Sequence, residues 1–283
     1  MLLKGIAAVS VASAVALAYL LGGFHGYGFL WMIPVAAAGI GLVLLALAFF
    51  FLWAACQIID QSKPQEKDSR FYRNLAYLYI EALIVLVGIR MEVSGLEKTP
   101  KEGRIMLVCN HQNESDPGVL LHYFRKSQLA FISKQENADM IVVGKIMHRM
   151  MCQLLNREND REALKTILKC IQLIKDDEVS VAVFPEGGIK GDRELHPFRP
   201  GVFKIAQKTQ VPIVVCTLQG TTDLFRNMKR LKPTPVKLHL VEVIEPAQYA
   251  GMSTVQLSEM VYDIMARDLT QYRHIGHDAG KDR

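Results

Sequence analysis

Read for its alternation of apolar and polar positions, the chain divides into an N-terminal quarter almost without polar breaks and a longer remainder in which short β-rich runs alternate with helical repeats. From Gly5 to Ile59 there is no Asp, Glu, Lys or Arg, and the glycine-rich stretch 22–28 splits the run in two. The pattern predicts an N-terminal transmembrane helical hairpin. Gly5–Leu21 is at the short limit for a hydrocarbon core of about 30 Å, and Ile33–Ile59 crosses it even when tilted. Both are helical in this reading because backbone in lipid must satisfy its own hydrogen bonds. Lys4 precedes the pair and Lys63, Lys67, Arg70 and Arg73 follow it, so the positive-inside rule places both ends, and the domain beyond, on the cytoplasmic face. A cleaved signal peptide is the competing reading of residues 1–21, and it would leave Ile33–Ile59 as the anchor.

After this membrane region, residues 1–60, the charged segment 61–70 with Pro64 reads as a linker. Residues 71–273 then form one domain, opening with an apolar helical segment, 71–89, expected to lie on the membrane and against the domain, with an ordinary core helix as the alternative. The short β-rich runs predict strands at Met91–Ser94, Arg104–Cys109, Leu129–Ser133, Val179–Phe184, Val211–Leu218, a nearly continuous apolar run as in a strand covered on both faces, and Val236–Val243. The longer repeats predict helices at Pro117–Phe124, Asn137–Met151, Arg161–Lys175, Gly201–Thr209 and Val255–Tyr272. This alternation is the signature of an α/β fold with a mixed, largely parallel sheet flanked by helices. Residues 274–283 read as a polar, frayed tail.

Composition narrows the class. A net charge of +5 with no dense basic block speaks against nucleic acid as a partner and for a membrane surface or a phosphorylated substrate. Five scattered cysteines have neither zinc-ligand nor disulfide-framework spacing, so no metal site is implied and a reducing compartment fits.

The candidate chemistry sits where predicted strands end, the place where open α/β sheets bind ligands. His111 and Asp116 follow the run Ile105–Val108 and resemble a base and the carboxylate that orients it; a helix-capping aspartate is the plain alternative. Arg157 ends the short apolar run Leu154–Leu155, and an arginine fork suits phosphate. Phe184-Pro185-Glu186-Gly187-Gly188 runs from a strand into a turn whose glycines let backbone amides approach an anion, with Lys190, Arg193 and Arg199 nearby.

In this order the blocks resemble the membrane-associated 1-acylglycerol-3-phosphate acyltransferases of the glycerolipid acyltransferase superfamily. Asn110-His111 through Asp116 is similar to the family's first motif, Leu154–Arg157 to its second, Phe184–Gly187 to its third and Val211–Val214 to its fourth. Pro197–Gly201 and the stretch around Lys134 also look like the family, and the resemblance covers about residues 71–265. It departs where the family's third motif continues Thr-Arg, since Gly188 and Ile189 stand there, and Asn156 precedes Arg157 where an aspartate is usual.

The resemblance implies acyl transfer from a thioester, acyl-CoA or acyl carrier protein, to the sn-2 hydroxyl of lysophosphatidic acid, giving phosphatidic acid, with no bound cofactor. His111 would be the general base and Asp116 its orienting partner. Arg157 and Glu186 would bind the acceptor, with Lys190 and Arg199 as further candidates and the amides around Gly187 serving phosphate or oxyanion. A covalent acyl-enzyme would instead need Cys109. The rival readings are another acceptor, such as glycerol 3-phosphate or a different lysophospholipid, or a membrane lipid-binding protein without catalysis.

Overall fold

The structure is a computed structural model that describes residues 1–21, 29–156 and 159–278, with the side chains of 29, 30 and 271–278 left aside. The glycine-rich connection and Arg157 therefore lie outside the described residues. Helices α1 (Leu2–Leu20) and α2 (Phe29–Gln57) pack against each other, and both are long and apolar enough to cross a membrane. Their contact follows from small residues. Ser10, Ala14 and Ala18 form the buried stripe of α1, and Ser10 lies against Gly41 of α2, so the backbones approach closely.

Helix α3 (Arg70–Leu86) lies antiparallel along the C-terminal part of α2, its Tyr72 and Tyr79 hydroxyls donating to the Ala55 and Ala48 carbonyls. It ends at Leu86 rather than at residue 89, because Gly88 takes φ +72° and turns the chain into strand β1 (Ile89–Ser94). Arg73, read from sequence as a flanking surface charge, is buried. Its guanidinium pairs with Asp68 at 2.7 and 2.8 Å and donates to the Leu129 and Met150 carbonyls, tying α3 to the sheet.

The remaining elements, in chain order, are β2 (Met106–Cys109), α4 (Asp116–Tyr123), β3 (Leu129–Lys134), α5 (Val143–Arg149), β4 (Gln153–Leu155), α6 (Asp160–Lys175), β5 (Ser180–Val183), α7 (Lys204–Thr209), β6 (Ile213–Gln219), α8 (Leu224–Lys229), β7 (Thr234–Ile244) and α9 (Thr254–Asp278). The strands form one seven-stranded sheet in the order β1-β7-β6-β2-β5-β3-β4, parallel throughout except for the antiparallel pair β6–β7. This is the mixed, largely parallel sheet expected. β2 and β5 are buried at every position, and β6 at all but its last residue, as required of central strands covered on both faces. One face packs against α6, α7 and α9 through Ile171, Phe203, Val261 and their neighbours, and the other against α4 through Val119, Leu120 and Phe124. Asn159 caps α6 with Oδ1 accepting from Arg161 and Glu162 N–H at 3.1 and 3.2 Å.

Four local expectations change. Segment 137–151 is not one helix: a short 3-10 turn ends at Met140 in extended backbone, and α5 starts afresh, with the Ala138 carbonyl so close to Gly144 that no Cβ fits between them. Gly201–Thr209 likewise divides into a 3-10 turn and α7. β4 and α8 were not predicted, since three and six residues are too few to show a period. α9 continues to Asp278, into the expected tail, as no proline interrupts it.

Candidate functional site

The site assembles at the carboxyl ends of β2 and β5, two neighbouring parallel strands. Asn110, just past β2, is buried and makes a reciprocal pair with β6: its Nδ2 donates to the Leu218 carbonyl at 2.9 Å and its Oδ1 accepts the Leu218 N–H at 2.7 Å. The next residue, His111, is thereby aimed out of the sheet edge. Its Nδ1 lies 3.0 Å from Asp116 Oδ2, at the start of α4. That same oxygen also accepts the backbone N–H groups of Gln112 and Asn113 at 2.6 and 2.8 Å. An oxygen so loaded with donors can only accept from the ring, so Nδ1 carries the proton and the Nε2 lone pair is left for other work. Among the described residues Nε2 has no hydrogen-bond partner. Asp116 is therefore not the helix cap of the plain reading: Ser115 is the N-cap of α4, and the Asp116 carboxylate turns back to its own loop and to His111.

The imidazole is clamped from its flat side as well. Phe184, at the end of β5, stacks on it with ring centroids 4.0 Å apart and planes at 14°, and Phe131 stacks behind at 5.7 Å. Glu186 does not face outward to a ligand. It is buried, its Oε1 accepts the His111 N–H at 2.8 Å, and its Oε2 accepts the His196 N–H at 3.0 Å. Burial pushes its carboxyl above the usual glutamate range, while the two backbone donors pull the other way. The turn Phe184–Gly187 is closed by Gly187 N–H donating to Phe184 O at 3.0 Å, and the returning chain is held by Arg199 N–H donating to Pro185 O at 2.9 Å. Gly187 has φ +76°, a backbone conformation that favours glycine, and the Arg199 side chain lies directly over it.

Arg199 and Gly187 line one wall of a cleft with Ile132, Leu155, Val183 and Val202, an apolar slot next to the stacked His111–Phe184 pair. Lys190 is exposed in the loop beyond the turn. Arg157 lies outside the described residues, although β4, which leads to it, pairs with β3 beside this slot. Of the residues singled out in the sequence, the structure thus brings together His111, Asp116, Glu186, Gly187 and Arg199. Cys109 is fully buried among apolar side chains of the α4 face, and burial pushes its thiol well above the ordinary range. Three contributors were missed: the Asn110 clamp, the ring of Phe184, and the His196 amide. The first two stand within the motifs, whereas nothing in the sequence marks His196.

Comparison with known proteins adds to this geometry. Residues 90–219 match a family model described as Acyltransferase. A probable 1-acyl-sn-glycerol-3-phosphate acyltransferase of Mycoplasma pneumoniae is 27% identical over 246 residues, covering 81% of this chain and 91% of the relative. The 1-acyl-sn-glycerol-3-phosphate acyltransferase of Limnanthes alba is 26% identical, covering 66% of each chain. In three dimensions the fold is that of the crystal structure of the 1-acyl-sn-glycerophosphate (LPA) acyltransferase PlsC of Thermotoga maritima, with a TM-score of 0.61, 23% identity, and coverage of 82% of this chain and 95% of that one.

Proposed function

The chain belongs to the acyltransferase family, and we propose that within it this enzyme transfers an acyl group from a thioester, acyl-CoA or acyl carrier protein, to the sn-2 hydroxyl of lysophosphatidic acid, giving phosphatidic acid. The observation that carries the reading is the state of His111: Nδ1 is committed to a fixed carboxylate, while Nε2 is left unpaired among the described residues at the end of β2. An alcohol is a poor nucleophile at neutral pH, and an oriented neutral imidazole removes its proton as it attacks the thioester carbonyl, typically worth ~10²- to 10⁴-fold in rate. The proton goes to Nε2, Asp116 steadies the imidazolium, and on collapse of the tetrahedral intermediate the thiol leaves with a proton. No enzyme nucleophile is needed, and the depth and raised pKa of Cys109 argue against one there.

Glu186 is a positioning residue in this scheme, holding the His111 and His196 amides in register. Arg199, next to the turn, takes the acceptor phosphate where the family's third-motif arginine is replaced by Ile189, with Arg157 and Lys190 as further phosphate contacts. The slot between Ile132, Leu155 and Val202 suits an acyl chain. Helices α1 and α2 anchor the enzyme with both ends on the cytoplasmic side, which brings a lipid acceptor to the site.

The test is a membrane-reconstituted assay with labelled acyl-CoA or acyl carrier protein against lysophosphatidic acid, glycerol 3-phosphate and uncharged lysolipids. Turnover is expected on lysophosphatidic acid, retained in Cys109→Ser. Preference for another acceptor would overturn the assignment of substrate, and a Cys109→Ser variant that folds but is dead would overturn the mechanism.

A further inference from the structure

The segment from α8 to Pro233 is built unlike the rest of the surface. Phe225 and Met228 of α8 are 52% and 40% exposed one helical turn apart, and Leu231, in the turn that follows, is 96% exposed with φ +51°. A leucine held in left-handed backbone and offered almost entirely to solvent costs the folded chain on both counts, and nothing among the described residues covers it. Lys229, Arg230 and Lys232 are exposed around these three side chains, while Arg226 closes on Asp223 at 2.9 Å.

The position of this tip is fixed by α3. The amide of Thr234, just past Pro233, donates to the Gly88 carbonyl at 2.8 Å, so the tip adjoins the C-terminal end of α3, where Leu83, Val85 and Leu86 are also exposed. Because α3 runs antiparallel to α2, that end points toward the turn of the α1–α2 hairpin. The N-terminal ammonium of α1 pairs with Glu81 of α3, seven residues before Gly88, and Arg125 joins the same carboxylate at 3.0 Å. At about 1.5 Å per helical residue, the α8 tip therefore stands roughly 10 Å further toward the hairpin's turn than this charged level.

We infer that α8 and the turn to Pro233 are a second membrane-contact element, inserting Phe225, Met228 and Leu231 into the leaflet the hairpin enters while Lys229, Arg230 and Lys232 meet anionic headgroups. The occupant is an anionic bilayer surface. The alternation of large apolar side chains with cations fits headgroup-level insertion, and the tip is continuous with the exposed end of α3. Since a 3-10 turn, Thr221–Asp223, and helix α8 follow β6, whose end is pinned to Asn110, the tip would seat the mouth of the site against the lipid that delivers the acceptor. The inference rests on the membrane reading above.

The experiment uses the full chain in vesicles of brominated phosphatidylglycerol or phosphatidylcholine, with an environment-sensitive fluorophore on Leu231→Cys or on Glu259→Cys of α9, and the unsubstituted chain as the labelling blank. Trp31 and Trp53 of α2 report the hairpin independently. The expected result is tryptophan quenching in both lipids, a blue shift and loss of intensity for the probe at 231 that is stronger in phosphatidylglycerol, and none at 259. Tryptophan quenching with a probe at 231 as unaffected as that at 259 overturns the inference alone. Absence of tryptophan quenching overturns the membrane reading itself. Lys229→Glu with Lys232→Glu should erase the difference between the two lipids at 231, and a difference that persists would overturn the headgroup contact.

Discussion

Two histidine–aspartate pairs stand on the same sheet, and their likeness in bond geometry makes their difference in use instructive. His111 Nδ1 lies 3.0 Å from Asp116, and His239 Nδ1 of β7 lies 2.8 Å from Asp268 of α9; both carboxylates are buried and both rings are partly exposed. What differs is the rest of each carboxylate's bonding. The second oxygen of Asp268 accepts the Thr217 hydroxyl of β6, so the pair bolts a helix across two strands. Asp116 instead gathers two amides from its own loop and holds one ring at the rim of a slot. A hydrogen-bonded pair is therefore a fastening in one place and, in the reading proposed above, a proton acceptor in waiting in the other. The surroundings decide: a stacked aromatic, a glycine turn and a nearby arginine at His111, a helix face at His239.

The largest effect should separate them cleanly. His111→Ala is expected to lose about 10²- to 10⁴-fold in kcat with an unchanged unfolding midpoint. His239→Ala should keep its turnover and unfold earlier. A folded His239→Ala enzyme without activity would break the comparison. The conservative exchange sharpens it: Asp116→Asn can keep one oxygen for the loop amides and the ring but loses the charge that would steady an imidazolium, and should cut kcat by about two orders of magnitude. Asp268→Asn should act on stability only, by about 1–3 kcal/mol for a buried polar group left imperfectly paired, read from denaturant midpoints in detergent.

These pairs also show what a sequence can and cannot display. Asp116 follows His111 by five residues, so both appear in one loop and the pair could be read directly. His239 and Asp268 are brought together only when α9 folds back over β7, a meeting that no local pattern encodes. The same rule runs through the fold. Central strands were legible because burial on both faces writes an unbroken apolar run, as in β6, and α6 because its core positions recur at helical spacing. β4 and the break before α5 were not, because they depend on a pairing partner and on a carbonyl pressed against Gly144, nor was α8, whose six residues are too few to show a period. At the site, sequence identified Glu186 but not its task, since only the fold shows both oxygens turned inward to amides from two different loops.

The smallest effect concerns that glutamate, which has no counterpart beside His239. Burial raises Glu186 above its ordinary 4.5, so between that value and its raised native one the folded protein holds a proton that the unfolded chain has released. Its contribution to stability is then fully present below 4.5 and declines as pH rises through the window. Glu186→Gln has no proton to lose, so the difference in unfolding midpoint between parent and variant should shift in the variant's favour from about pH 4 toward neutrality. A difference that stays constant with pH would place the carboxylate in water rather than beneath the His111 loop.

The reciprocal bonds of Asn110 with Leu218 have a mechanical consequence. With the anchor proposed above, any load from the bilayer would enter through α2 and α3 and be taken up by Arg73 at the Leu129 and Met150 carbonyls, on the side of β3. The loop of His111 is moored on both sides of β2, to β6 through Asn110 and to the turn after β5 through Glu186 and Phe184. The ring and its carboxylate thus sit on a loop braced from two strands, so that their 3.0 Å separation does not hang on any one attachment.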